Sequence, residues 1–390
     1  MSCSENNEHS FDTNDCAVRE CKMEDYATEM PRWCKGCGDH GVLAAIQRTM
    51  RDHFVKPENV VAVSGIGCSS RLPHYLRTYG FHGIHGRALP IATGVRLSRP
   101  DLKVIVTMGD GDCFSIGGNH WLHALRYNLN AVVLVLDNGV YALTKMQVSP
   151  TTPEGVKTRT TPQGGYLPPF NPLSVVAGIN GVSFLAQTAT WLPEHLDATI
   201  EKAWEHPGLS FVRVLQRCPV FMPDAFGDGG QHFSMAFLED EWGIPVSSFL
   251  RKRGEVQAHD PRDLNAAQEI AAQLYPAPMG LLYQNTELPT YEEIRFSRRQ
   301  KPTTAAFRQR LEGVLDQYAV GKPKNLPEIP VEPETGVPDW VAHRPQKTER
   351  AAPKPKMHSR EMEQQLAKMR QQTQEETIHK LVNNLLQMNP

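Results

Sequence analysis

The chain has no excess of charge of either sign, no apolar run of membrane-spanning length and no leader-like start. Forty-one Lys and Arg face 43 Asp and Glu, and no basic block is dense enough to follow a phosphate backbone, which argues against nucleic acid as a partner. No stretch approaches the roughly 20 apolar residues that a spanning helix needs. The opening MSCSENNEHSFDTND lacks the positive and apolar regions of a signal peptide. A cytoplasmic, membrane-free protein is expected, and in that reducing setting the eight cysteines read as thiols or metal ligands rather than disulfides. With 390 residues, 40% of them hydrophobic and 22% charged, the chain is globular and can bury one large core or two ordinary ones.

What is present is a rhythm of short apolar runs and amphipathic segments. NVVAVSG (59–65), KVIVTMGDG (103–111), AVVLVLDN (131–138) and LSFVRVLQRC (209–218) are Val/Ile/Leu-rich strands of the kind buried on both faces, while HGVLAAIQRTMRDHF and GGNHWLHALRYN read as helices. Strand, helix, strand implies an α/β fold with a doubly wound, mostly parallel sheet. Ligands of such sheets collect at the carboxyl ends of the strands. Each of the four strands is followed there by distinctive chemistry: Gly67-Cys68-Ser69, Gly109-Asp110-Gly111-Asp112, Asp137-Asn138-Gly139 and Cys218.

Asp110 and Asn138 close one strand-helix-strand crossover, so two oxygen ligands can meet above neighbouring strands. That suits Mg²⁺ sharing a diphosphate. Gly109 and Gly111 would let backbone approach phosphate oxygens, and Ser115-Ile116-Gly117-Gly118 opens a helix whose amides favour an anion. The plainer reading of Gly-Asp-Gly is a turn. A second GDGG at 227–230 follows no apolar strand and is expected to be only a loop.

The spacing from Gly109-Asp110-Gly111 to Asn138 resembles the thiamine diphosphate motif. WCKGCGDHGVLAAIQ, SGIGCSSRLPHYLRTYGFHGIHGRALPIATG, GDGDCFSIGGNHWLHALRYN and NGVYALTKMQVSPTTPEG, in that order, further resemble the beta subunit of 2-oxoacid:ferredoxin oxidoreductases, above all the 2-oxoglutarate type, over residues of about 30 to 295. The resemblance implies Mg²⁺ on Asp110, Asn138 and the Val140 carbonyl. It implies cofactor contacts from Cys68, Ser69, His85, Gly109, Asp110, Gly111, Asp112, Asn138, Val140, Tyr141, Ala142, Leu143 and Thr144, and a 4Fe-4S cluster on Cys34, Cys37, Cys68 and Cys218. Four cysteines alone would favour zinc; the thiamine motif reverses this, because a thiamine cofactor alongside gives an electron-transferring cluster a role that zinc lacks. Cys113 reads as a small buried residue, and Cys3, Cys16 and Cys21 lie in a polar arm.

The implied reaction is oxidative decarboxylation of 2-oxoglutarate with coenzyme A to succinyl-CoA and CO₂, in one-electron steps through the cluster to ferredoxin. A pyruvate or broad 2-oxoacid enzyme is the alternative, and a non-oxidative thiamine lyase or synthase or a plain binding protein the more distant ones. Thiamine enzymes use an activating Glu from a second domain of similar fold, and no repeat of the diphosphate domain is present. That domain and its Glu are therefore expected on a separate alpha subunit, in an α2β2 assembly. Arg71 and Lys145 are candidate catalytic residues that pair with substrate carboxylates, although lone cations are more often solvated. His85 could contact the diphosphate or simply brace a turn.

The expected organisation is a polar arm (1–29), a thiamine diphosphate and iron-sulfur domain (30–225), the rest of the family core with a helix (226–320), a linker (321–356) and a C-terminal helix (357–390). The helix near the end of the core carries Phe307, Leu311, Val314 and Tyr318 on one face, and eight prolines fall between 323 and 355. Beyond them Ser359 could cap a helix, either a disordered extension or a docking segment for a partner subunit.

Overall fold

The computed structural model describes residues 22–226 and 233–297, with Gln309 beyond them. Its strands are β1 (Val60–Ser64), β2 (Tyr79–His82), β3 (Lys103–Gly109), β4 (Ala131–Asp137), β5 (Val140–Tyr141), β6 (Gln147–Val148), β7 (Phe184–Ala189), β8 (Leu209–Leu215), β9 (Met235–Glu239), β10 (Glu255–Ala258) and β11 (Ala277–Gln284). Among the described residues, nine of these form one sheet in the order β10-β9-β11-β7-β8-β4-β3-β1-β2, and β5 and β6 pair separately. Every contact in the large sheet is parallel except β7 with β11. The fold is α/β and doubly wound, as the sequence implies.

Alternation along the strands explains the winding. Val61, Val63, Val104, Val106, Val133 and Val135 face one core, shared with α2 (Ala88–Ser98), α3 (Gly118–Tyr127), α4 (Pro172–Ala177) and α6 (Leu264–Ala271). Val60, Ala62, Ile105, Val132, Leu134 and Leu136 face the other, shared with α1 (Asp39–Asp52) and α5 (Pro193–Glu205). With helices on both faces, every second residue has an apolar partner, so a continuous apolar run is the stable composition. A seventh helix, α7 (Tyr291–Phe296), starts from a capping box between Thr290 and Glu293.

The four strands read from the sequence are β1, β3, β4 and β8, contiguous in the sheet, so their carboxyl ends lie side by side. The helices expected over 40–54 and 117–128 are α1 and α3. The segment 149–165 contains neither helix nor strand. Cys113 is fully buried. The second GDGG, the Phe307 helix, the linker, the Ser359 helix and Cys3, Cys16 and Cys21 lie outside the described residues. No helix among those described is long and apolar enough to cross a membrane.

Candidate cofactor site

At the carboxyl ends of β1, β3 and β4 lies a cleft lined by Cys68, Ser69, His85, Gly109, Asp110, Gly111, Asp112, Asn138, Val140, Tyr141, Ala142, Leu143 and Thr144, together with Asp39, Ile66, Gly67 and Leu136. All thirteen cofactor-binding candidates therefore share one cavity. The glycines divide the labour differently from expectation. A Cβ on Gly109 would meet nothing closer than Ser69 Oγ at 3.6 Å, but one on Gly111 would sit 2.2 Å from the Tyr141 ring. The second glycine thus makes room for Tyr141, whose hydroxyl donates to the Gly111 carbonyl at 3.3 Å.

Asp110 is buried, and its Oδ2 accepts from the Thr151 hydroxyl at 2.8 Å. Burial, then the charge of Asp137, pushes its carboxyl up to about 7, against hydrogen bonds from Ser149, Thr151 and the Gly111 backbone. A carboxylate so placed is short of a cation, and a dication would offset both causes at once. Asn138, beside it in the cleft, accepts the Val140 amide at 3.1 Å.

Asp112 Oδ1 accepts from His85 Nδ1 at 2.6 Å, from the Gly86 amide at 2.7 Å and from the Ile66 amide at 3.3 Å, while Oδ2 is buried without a partner. Burial raises its carboxyl too. His85 is therefore both a braced turn residue and part of the cleft wall.

The thiols of Cys34, Cys37, Cys68 and Cys218 also converge. Cys37 feels the charges of Cys68 and Cys218, and Cys68 feels those of Cys218 and Cys34. Burial first, then Asp39, pushes the Cys68 thiol up to about 12, opposed by Arg71, and raises Cys37 as well. The loop is tied down by the Cys37 amide on the Cys34 carbonyl (3.1 Å), by Trp33 Nε1 on the Cys68 carbonyl (2.7 Å) and by Gln216 Nε2 on Cys37 Sγ (3.1 Å). All four are free thiols. Thiols this resistant to ionisation lose their protons when a metal takes them, so the donor set fits a metal centre.

Arg71 and Lys145 do not line the cleft. Arg71 donates from Nε to the Tyr75 hydroxyl at 2.8 Å, near the Cys68 thiol, and Lys145 is exposed with φ +73.

Residues 65–214 match the family described as thiamine pyrophosphate enzyme, C-terminal TPP binding domain, and residues 251–297 match the C terminal of the pyruvate ferredoxin oxidoreductase beta subunit. The 2-oxoacid:ferredoxin oxidoreductase subunit beta of Sulfolobus sp is 38% identical over 275 residues, covering 70% of this chain and 87% of its own. This chain belongs to that beta-subunit family. The 2-oxoglutarate oxidoreductase subunit KorB of Mycobacterium tuberculosis is 46% identical over 206 residues, 53% of this chain; the match spans only 55% of that relative. A solved 2-oxoglutarate:ferredoxin oxidoreductase from Magnetococcus marinus, with 2-oxoglutarate, coenzyme A and succinyl-CoA bound, superposes with a TM-score of 0.64 at 35% identity, over 79% of this chain and 98% of the other.

Two residues of this beta subunit escaped the sequence reading. Asp39 is buried, lines the cleft and has one oxygen without a partner; burial pushes its carboxyl up to about 7. In sequence it is an ordinary acid in the first turn of a helix. Thr151 is one of five threonines in the loop 149–165, and nothing in its spacing marks it out.

Proposed function

We propose that this chain, with an alpha subunit, catalyses the coenzyme A-dependent oxidative decarboxylation of 2-oxoglutarate, giving succinyl-CoA and CO₂ and reducing ferredoxin. The observation that carries the reading is Cys68, which lines the cleft and is also in electrostatic contact with the three other converging thiols. Thiamine diphosphate, when bound, supplies the carbanion chemistry at the 2-oxo carbon, and a 4Fe-4S cluster supplies one-electron transfer. Asp110, Asn138 and the Val140 carbonyl would hold the Mg²⁺, and Cys34, Cys37, Cys68 and Cys218 the cluster.

The thiamine diphosphate motif supports a cluster over zinc, since a carbanion-generating cofactor gives an electron carrier a role that structural zinc lacks. His85, braced by Asp112, and Tyr141 frame the cleft for the cofactor. Arg71 and Lys145 are proposed as substrate-carboxylate partners that reach the cleft rim from outside its wall. The activating Glu is supplied by the alpha subunit, so the working unit is an α2β2 assembly in the cytoplasm.

The match over 251–297 to a pyruvate enzyme's beta chain favours a second reading in which pyruvate is the substrate. An anaerobic assay of the co-purified complex against a 2-oxoacid panel, with coenzyme A and ferredoxin, decides between them. The expected result is coenzyme A-dependent ferredoxin reduction fastest with 2-oxoglutarate. Faster turnover of pyruvate would replace the substrate, and a complex lacking iron-sulfur absorbance would remove the redox reading altogether.

A further inference from the structure

Thr151 lies in the loop 149–165, nearly buried, with its hydroxyl oxygen 2.8 Å from Asp110 Oδ2 and 2.6 Å from Asp137 Oδ1. A hydroxyl has one proton, so it can donate to only one of the two carboxylates at a time. They are not equivalent. Asp137 already receives the Arg213 fork on Oδ2, from Nε at 2.8 Å and Nη2 at 2.7 Å, and the Gly139 amide on Oδ1 at 3.2 Å. Arg213 Nη1 is in turn held by Gln187 Oε1 at 3.1 Å, and Gln187 Nε2 by the Pro278 carbonyl at 2.7 Å. A string of hydrogen bonds thus runs from β11 through β7 and β8 to Asp137 on β4. Because Asp137 is already served by Arg213 and Gly139, the hydroxyl proton is available to Asp110, the carboxylate with no cation of its own.

We propose that Thr151 is a positioning residue whose hydroxyl, donated to Asp110 because Asp137 is already served by Arg213 and Gly139, fixes the rotation of the Asp110 carboxylate and makes the site discriminate Mg²⁺ from Ca²⁺. This rests on reading Asp110 as the metal-binding carboxylate of the thiamine diphosphate site. Mg²⁺ requires near-ideal octahedral oxygen geometry, whereas Ca²⁺ accepts irregular coordination. A carboxylate freed to rotate therefore penalises the smaller ion more. Groups that orient metal ligands from behind commonly change affinity by about ten- to a hundredfold.

The test is metal-dependent thiamine diphosphate binding to the purified complex, followed by tryptophan fluorescence with Mg²⁺ or Ca²⁺ as the sole dication. Thr151→Val keeps the side-chain shape without the hydroxyl. It should raise the half-saturating Mg²⁺ concentration about tenfold and the Ca²⁺ concentration less than about threefold. Thr151→Ala should give the same ratio, and Thr151→Ser should restore the wild-type one. Loss that is equal for the two ions, no loss, or no rescue by serine overturns the role. Native Mg²⁺-dependent binding in Asp110→Ala would instead overturn the cofactor reading itself, and the positioning role with it.

Discussion

Asp137 and Glu292 are buried with arginines, whereas Asp39, Asp110 and Asp112 are buried without one. Arg213 forks Asp137, and Arg96 pairs with Glu292 at 2.6 Å while donating to the carbonyls of Pro100 and Leu102. These two pairs brace the scaffold, the second fastening α7 to α2. The three cleft carboxylates are partnered by hydroxyls, amides, one thiol and His85, and Asp110 also faces the like charge of Asp137. Burying a carboxylate without a cation is costly. The fold supplies internal counter-charge where a carboxylate is structural and withholds it where a ligand must bring its own.

Removing a charge from each group should therefore damage different properties. The largest effect falls on the cleft: Asp110→Ala should abolish thiamine diphosphate binding at micromolar concentrations, while Asn138→Ala, which removes no charge, should weaken it about tenfold. Equilibrium dialysis with Mg²⁺ present measures both, and near-native affinity in the two variants would refute the assigned site.

On the scaffold side, Arg96→Met should cost about 3–5 kcal/mol of stability by stranding Glu292. Adding Glu292→Leu should recover most of it, since the pair as a whole contributes little net. Chemical denaturation of the double variant is the decisive reading: if it unfolds as readily as the single one, the arginine serves something other than Glu292.

Acid probes the scaffold's neutral groups. Burial lowers His195 and His206 to about 4 from an ordinary 6.5, with the Lys103 charge a second cause at His206. Above 6.5 both folded and unfolded chains are neutral at these positions and nothing is lost. Between 6.5 and 4 the unfolded chain takes up protons that the folded one refuses, so stability falls by about 3 kcal/mol for each histidine. Denaturation midpoints of His195→Gln across this range should show a shallower decline than wild type; an unchanged slope would dismiss the histidine as a source.

The smallest effect concerns the substrate. Arg71→Met or Lys145→Met should lower kcat/KM for 2-oxoglutarate by about ten- to a hundredfold, the value of roughly 1.5–3 kcal/mol for a charge-assisted contact. 2-Oxobutyrate, with no distal carboxylate, should be nearly unaffected. Equal losses with both substrates would show that neither cation reads the distal end.

The strands most readable in the sequence are those that build the site. Apolar runs made β1, β3, β4 and β8 legible because both of their faces are covered. β2, whose four residues are all exposed, has no such signal, and β11 hides behind Pro278 and Gly280, the latter at φ +132 just before the register shifts. The cleft was legible wherever residues follow a strand directly. Asp39 and Thr151 arrive from a helix start and a long loop, and only the packed fold brings them to the cleft. Arg213 and Gln187 sit inside strands, where a polar residue looks like an interruption until its neighbours across the sheet are known.

The cysteines carry a consequence for the order of assembly. Cys34, Cys37 and Cys68 precede Cys218 by some 150 residues or more (218 minus 68 for the shortest interval), and Cys218 reaches them only because β8 pairs with β4. On a chain still emerging during synthesis, three of the thiols stand ready while the fourth does not yet exist. A centre that requires all four would be loaded only after β8 has docked into the sheet, while β9, β10 and β11 are still to follow along the chain, so its insertion would mark the docking of β8 rather than the end of folding.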